Sequence, residues 1–423
     1  MGLFPDGFLW GTATAAHQVE GGNQGNDWWD WESIPGHIAD GSRSGDACGW
    51  WAGRAEADLT LAASLGQNAH RMGVEWSRLE PEEDRFDDDA FARYAAVLDH
   101  VRSLGMTSMV TLHHFTLPRW AAAKGGWTWP GLAARLGRFA EECGRRLGGR
   151  VDLWVTINEP SVLALGGYAT RMWPPGRGSA AAYLAALRAM LRGHSAAVTG
   201  LRRSSPGTPV GIVLNAPWFV PARPDHPGDR AAAWLQDWSV TGVVLQALDT
   251  GMLAPPLWPL SLEVPGLRRS FDFLGLNFYG RFDVRFDPTA ARTGFMRHVQ
   301  PATIRSERVD WGQPSPEGLT AQLVRLSALG VPLYVTEHGV RDATDEMRPT
   351  VLREGVRAVA EAIRQGADVR GYFHWSLLDN FEWAEGWSSR FGLVAVDPVT
   401  QVRTPRPSAE VYAAICRANG EGL

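Results

Sequence analysis

The stretch "PLYVTEHG", residues 332–339, reads as a short buried strand that ends on a carboxylate. Val and Tyr favour strand, Pro332 stands at its start and Gly339 stops it. A carboxylate is costly to desolvate, so a core strand ending on Glu337 needs an explanation. The stretch "DLWVTINEP", residues 152–160, sets the same problem with Glu159. One answer serves both if the two ends open into a single pocket.

Six further apolar runs share this character. In order the eight are "FLWGTATAA", "NAHRMGVEW", "TSMVTLHHF", "DLWVTINEP", "TPVGIVLNAP", "FDFLGLNFYG", "VPLYVTEHG" and "VRGYFHWSLLDN". Most are continuous apolar runs, the pattern of parallel strands covered on both faces. Between them lie Ala- and Arg-rich helical segments such as "DDDAFARYAAVLDHVRSLG" and "MRPTVLREGVRAVAEAIRQG", several ending on Gly. Strand and helix alternating about eight times predicts an α/β fold, a single (β/α)8 TIM barrel over residues 1–423. A doubly wound open sheet is the other reading, and it calls for a GxGxxG turn that the chain lacks. Residues 221–230 and 286–318 read as loops.

Composition narrows the function. A net charge of −5 with 21% charged residues points to no nucleic-acid or membrane-surface partner. Of the 41 Lys and Arg residues only Lys124 is a lysine, so a Schiff base would have one candidate. Cys48, Cys143 and Cys416 have no metal-like spacing and read as reduced thiols. The N-terminus lacks a basic and then apolar leader, and no run is long enough to span a bilayer. A cytoplasmic protein that meets neither membrane nor nucleic acid is expected. Twenty Trp against seven Tyr is a large excess. Core packing accounts for part of it; indole faces stacking on sugar rings would account for the rest.

In a barrel the chemistry sits at the C-terminal strand ends. Here those ends carry Gln18, Glu75, His113 and His114, Asn158 and Glu159, Asn215, Asn277 and Tyr279, Glu337 and His338, and Trp375. Strands four and seven face each other across the mouth, so Glu159 and Glu337 can converge. Two carboxyls on one glycosidic bond are the minimum for glycoside hydrolysis. Arg71 would keep one of them charged, and burial beside a like charge would raise the other. A metal is not expected: neighbouring His113 and His114 point to opposite faces, and HExxH is absent.

At these residues the chain resembles glycoside hydrolase family 1, the retaining β-glucosidase and β-galactosidase family. "FLWGTATAAHQVEGG", "RMGVEWSRLEP", "TLHHFTLPRW", "TINEP", "GLNFYG", "VTEHG" and "HWSLLDNFEWAEGWSSRFGLVAVD" follow in the family's order. The resemblance implies a retaining exo-acting β-glycosidase without cofactor, acting on small β-glycosides or oligosaccharides. Glucosyl is the expected glycone, with galactosyl and fucosyl beside it. It implies that Glu159 is the general acid/base and Glu337 the nucleophile. Arg71, Tyr279 and Asn277 would support the nucleophile. Gln18, His114, Asn158, Glu382 and Trp383 would bind sugar hydroxyls over a Trp375 platform. Trp173, Trp127 and Trp311 would line the leaving-group side. The intact Glu382-Trp383 pair implies a non-phosphorylated sugar, and Glu159 in place of Gln implies O-glycosides. A mainly transglycosylating enzyme and an inactive sugar-binding barrel are the other readings. Three positions depart from the pattern: His338 stands for Asn, Phe115 for Trp and Thr116 for Asp. Strand alternation should turn His338 away from the pocket.

Overall fold

The computed structural model describes residues 3–254, 261–290, 295–299 and 311–423. Eight parallel strands close into a barrel. They are β1 (Leu9–Ala13), β2 (Ala69–Gly73), β3 (Thr107–His113), β4 (Leu153–Asn158), β5 (Val210–Asn215), β6 (Phe273–Phe278), β7 (Leu333–His338) and β8 (Val369–Trp375). Each pairs with its neighbours in sequence, and β1 closes on β8, with Leu9 opposite Gly371 and Ala13 opposite Trp375. Each of the eight apolar runs contributes one strand. They are mostly apolar because helices cover the outside while side chains fill the inside.

The helices form where the sequence provides both an apolar stripe and a cap. Asp87 accepts from the Ala90 amide at 2.8 Å and starts Asp88–Ser103, whose apolar side buries Phe91, Tyr94, Leu98 and Val101. Ser179 caps Ala180–Ser204, and Ser315, followed by Pro316, caps Pro316–Ser327. The helix Leu132–Leu147 lies against Ala180–Ser204 with almost no gap. A Cβ on Gly200 would sit 2.5 Å from the carbonyl oxygen of Gly137. Only glycine lets the two backbones approach so closely.

Both expected loops contain regular structure. Residues 221–230 run into the helix Pro227–Asp237, which His226 caps through the Asp229 amide. Trp218–Pro221, just after β5, pairs with Arg281–Phe286 and Met296–Val299, which follow β6, as a three-stranded rim sheet. Charged and exposed positions at its edges, such as Arg285 and Phe286, hid the strand pattern. The rest of 286–318 reaches residues outside the described set.

Two strands are irregular where it matters. Along β7, Val335 pairs with Leu276 and Glu337 with Asn277, so Thr336 has no counterpart on β6. Along β4, Val155 pairs with Gly211 and Asn158 with Val213, again one residue too many. Such bulges twist a strand and re-aim its side chains. Both lie immediately before a strand-end glutamate.

Candidate active site

The bulges and one backbone turn bring adjacent residues to the same pocket, which regular alternation forbids. Glu159 follows Asn158 with φ of +47°, in the left-handed region. Its neighbours at the mouth, Phe115 at +75° and Trp383 at +50°, share that conformation. Each costs about 1–3 kcal/mol in a non-glycine residue and persists only where the surroundings enforce it.

The two carboxyls are buried, Glu159 at 5% and Glu337 at 3% exposure. Their partners differ. Arg71 donates to Glu337 Oε1 at 2.6 Å and the Tyr279 hydroxyl donates to Oε2 at 2.7 Å. The second Arg71 nitrogen donates to Asn158 Oδ1 at 2.7 Å. Asn277 Nδ2 donates to that same oxygen at 3.1 Å and to Glu159 Oε1 at 2.8 Å. A continuous polar chain therefore joins one glutamate to the other. Burial pushes both carboxyls above the ordinary range, and the charge on Glu337 carries Glu159 further, to about 8. Arg71 and Tyr279 pull Glu337 back down. With one cation and one phenol on Glu337 and only amides on Glu159, the pair keeps its proton on Glu159 at neutral pH.

A second group surrounds Glu382. Gln18 Nε2 donates to Glu382 Oε2 at 3.2 Å and to Asn380 Oδ1 at 2.8 Å, and Trp375 Nε1 points at the same carboxylate from 3.4 Å. Burial, and then the charge on Glu337, raise Glu382 to about 8. His114 Nε2 lies 3.1 Å from Asn158 Nδ2, and burial holds the ring neutral. Gln18 Oε1 and His114 Nδ1 have no protein partner among the described residues. Trp383 packs against Trp28, Phe115, His114 and His17, with ring centroids 4.7 to 5.9 Å away. The set is thus dense in donors and acceptors and walled by aromatic faces, which suits a ring bearing several hydroxyls.

The eleven residues expected to act as catalytic carboxyls, support the nucleophile or bind the sugar fall into these two linked groups. Asn277 serves Glu159 as directly as Glu337, because its amide sits between them. Asn215, at the end of β5, adds a second amide that steadies ionised Glu159. The sequence pointed to it only as one more polar strand end. The leaving-group wall needs a correction. Trp173 does sit at the mouth, 4.8 Å from Phe115, and Trp311 packs on Tyr279 at 5.3 Å. Trp127 is 1% exposed and donates its Nε1 to His113 at 3.1 Å, so it is core. That bond also turns His113 away from His114, as alternation predicts. Lys124 caps the C-terminal end of the short helix Arg119–Ala123 that follows β3, its ammonium paired with Glu83 and 4.7 Å from the Trp129 ring. No group of three His, Cys, Asp or Glu among the described residues is arranged to hold a metal.

His338 points outward, as alternation requires. Its Nδ1 lies 2.6 Å from the Tyr372 hydroxyl, and its ring stacks on Phe278 at 6.3 Å. It fits because residue 355 is glycine: a Cβ there would come within 2.3 Å of the ring. Burial lowers its pKa to about 4, so no charge appears beside Glu337 in the working range. His338→Asn should therefore leave the acidic limb of kcat/KM within half a unit, roughly, while costing about 1–2 kcal/mol of stability. Rate-versus-pH profiles and denaturant melts check both parts. A full-unit shift of the limb would contradict this reading.

The chain as a whole has close counterparts. The family model for glycosyl hydrolase family 1 matches residues 1–421. Beta-glucosidase A of Thermotoga maritima is 31% identical, the match covering 99% of this chain and 98% of the relative. A beta-galactosidase of Pyrococcus woesei is 29% identical over 99% of this chain and 98% of its own length. Among solved structures, a beta-glycosidase from Pyrococcus horikoshii superposes with a TM-score of 0.90 at 38% identity, covering 99% of this chain and 96% of that one. A Thermotoga maritima beta-glucosidase in complex with glucoimidazole gives 0.91 at 29% identity, covering 99% of both chains. Match to the family model over nearly every residue, on the same barrel, makes this chain a member of glycosyl hydrolase family 1.

Proposed function

We propose that the protein is a retaining exo-acting β-glycosidase that removes terminal β-D-glucosyl residues, and also β-D-galactosyl or β-D-fucosyl residues, from O-glycosides. The observation that carries this reading is the polar chain Glu337–Arg71–Asn158–Asn277–Glu159, which joins two buried carboxyls and leaves the proton on one of them. The names of the glucosidase and galactosidase relatives support the glycone.

The chemistry follows from the unequal surroundings. Glu337, ionised against Arg71 and Tyr279, attacks the anomeric carbon. Glu159 gives its proton to the departing oxygen, and a covalent glycosyl-enzyme forms. Esterification removes the charge on Glu337, so the acidity of Glu159 rises. Glu159 then takes a proton from water as that oxygen bonds to the anomeric carbon and displaces the Glu337 carboxylate, which releases the sugar with its original configuration. Asn158 holds the 2-hydroxyl, where the transition state binds most tightly. Trp375 lies under the ring, and Gln18, His114, Glu382 and Trp383 fix the other hydroxyls. We place this activity in a single barrel domain. We assign it to the cytoplasm because all three cysteines are free and buried. No described helix is long and apolar enough to cross a membrane.

A 2-deoxy-2-fluoro β-glucoside should inactivate the enzyme and label Glu337, as read by peptide mass. Hydrolysis of p-nitrophenyl glycosides should rank gluco ahead of manno and xylo. Label on another residue, or an α-configured first product by NMR, would overturn the mechanism.

A further inference from the structure

Thr336 is the extra residue of the β7 bulge, and the bulge gives it two tasks. Its backbone carbonyl accepts from Arg71 at 3.3 Å, on the nucleophile side of the site. Its hydroxyl donates to Asn277 Oδ1 at 2.7 Å, on the other side. Thr336 is fully buried, and no other hydrogen-bond partner of its hydroxyl is evident among the described residues. Asn277 is therefore held at both ends. Thr336 grips its oxygen, while its nitrogen bridges Asn158 and Glu159 at 3.1 and 2.8 Å.

That grip has a chemical consequence. An amide nitrogen facing a carboxyl favours the ionised form, and an amide oxygen facing it favours the protonated form. Asn277 is one of the groups that hold Glu159 down against its burial. If the hydroxyl is removed, the buried oxygen of Asn277 loses its donor. The nearest replacement is the proton on Glu159, which the amide meets by rotating. Its nitrogen then no longer supports the carboxylate.

We propose that Thr336 is a positioning residue for the acid/base: its hydroxyl keeps the Asn277 nitrogen on Glu159, which sets the pH range in which that carboxyl changes between acid and base. This rests on the reading of Glu159 as acid/base. Fluoro-sugar labelling of Glu337 tests the underlying mechanism separately.

The test uses Thr336→Val, which keeps the shape and loses the hydroxyl, Thr336→Ser, which keeps the hydroxyl, and Thr336→Ala, which adds no bulk. Two profiles are read. The basic limb of kcat/KM with an alkyl glycoside reports Glu159 as acid. The acidic limb of kcat with a dinitrophenyl glycoside, where release of the glycosyl-enzyme limits, reports Glu159 as base. Valine and alanine should move both limbs upward by about one pH unit, a roughly tenfold change in the ionised fraction of Glu159 below its pKa. Serine should restore the parent profile. A purely structural role would lower the rates and leave both limbs in place. Unmoved limbs in folded valine or alanine variants, or serine behaving like valine, would overturn the assignment.

Discussion

Glu337→Gly loses roughly 10⁴-fold or more in kcat/KM on every β-glycoside, since no other group in the pocket can form the covalent intermediate. The variant should still fold. Removing one partner of a buried ion pair costs about 3–5 kcal/mol when the other is left bare. Arg71 is not left bare, because Asn158 Oδ1, the Thr336 carbonyl and Thr111 Oγ1 remain on it. The cavity beside its guanidinium then suits a small anion. Added azide should enter there and displace the leaving group directly. One displacement inverts, so the product is the α-glycosyl azide, identified by NMR. A β-azide, or rates unmoved by the substitution, would remove Glu337 from the role of nucleophile.

Glu159→Ala should behave in the opposite way, with the loss set by the leaving group. An alkyl glycoside needs the proton and should slow by roughly 10²–10⁴-fold. A dinitrophenyl glycoside does not need it, so its first step should change little and intermediate should accumulate. Azide needs no base, and should release that intermediate as the β-glycosyl azide after two inversions. The pH profile adds a sign. Glu159 must be protonated for the first step and is raised to about 8, so parent kcat/KM should fall as pH rises through that value. In the alanine variant this basic limb should vanish while the acidic limb, set by Glu337, stays. A dinitrophenyl first step that falls as far as the alkyl one would mean that the substitution damaged sugar binding as well.

The barrel was legible because parallel strands covered on both faces leave continuous apolar runs, and each run here became one strand. The site was legible at the level of which residues meet, because polar groups ending apolar runs must lie at one rim of such a barrel. Geometry within the site was less so. Asn158 and Glu159 are adjacent, and alternation alone would put one of them in the wall. The bulges and the left-handed Glu159 resolve this, and neither leaves a mark in residue type. For the same reason Thr336 passed as one more β-branched strand residue. Trp127 shows the limit of composition: a tryptophan close in sequence to the site is core because its N–H finds His113. The rim sheet was missed because its strands are short and partly exposed, and arginine interrupts two of the three.

The pairing of Lys124 with Glu83 has a practical side. It is the one side-chain amine in a chain of 40 arginines, so an amine-selective dye has a single side chain to find. That side chain is 41% exposed and closes the short helix Arg119–Ala123. Trp129, whose ring lies 4.7 Å from the ammonium, would quench a dye attached there by contact. With arginine in nearly every basic position, amine labelling is narrowed to Lys124 and the α-amine, without any engineered cysteine.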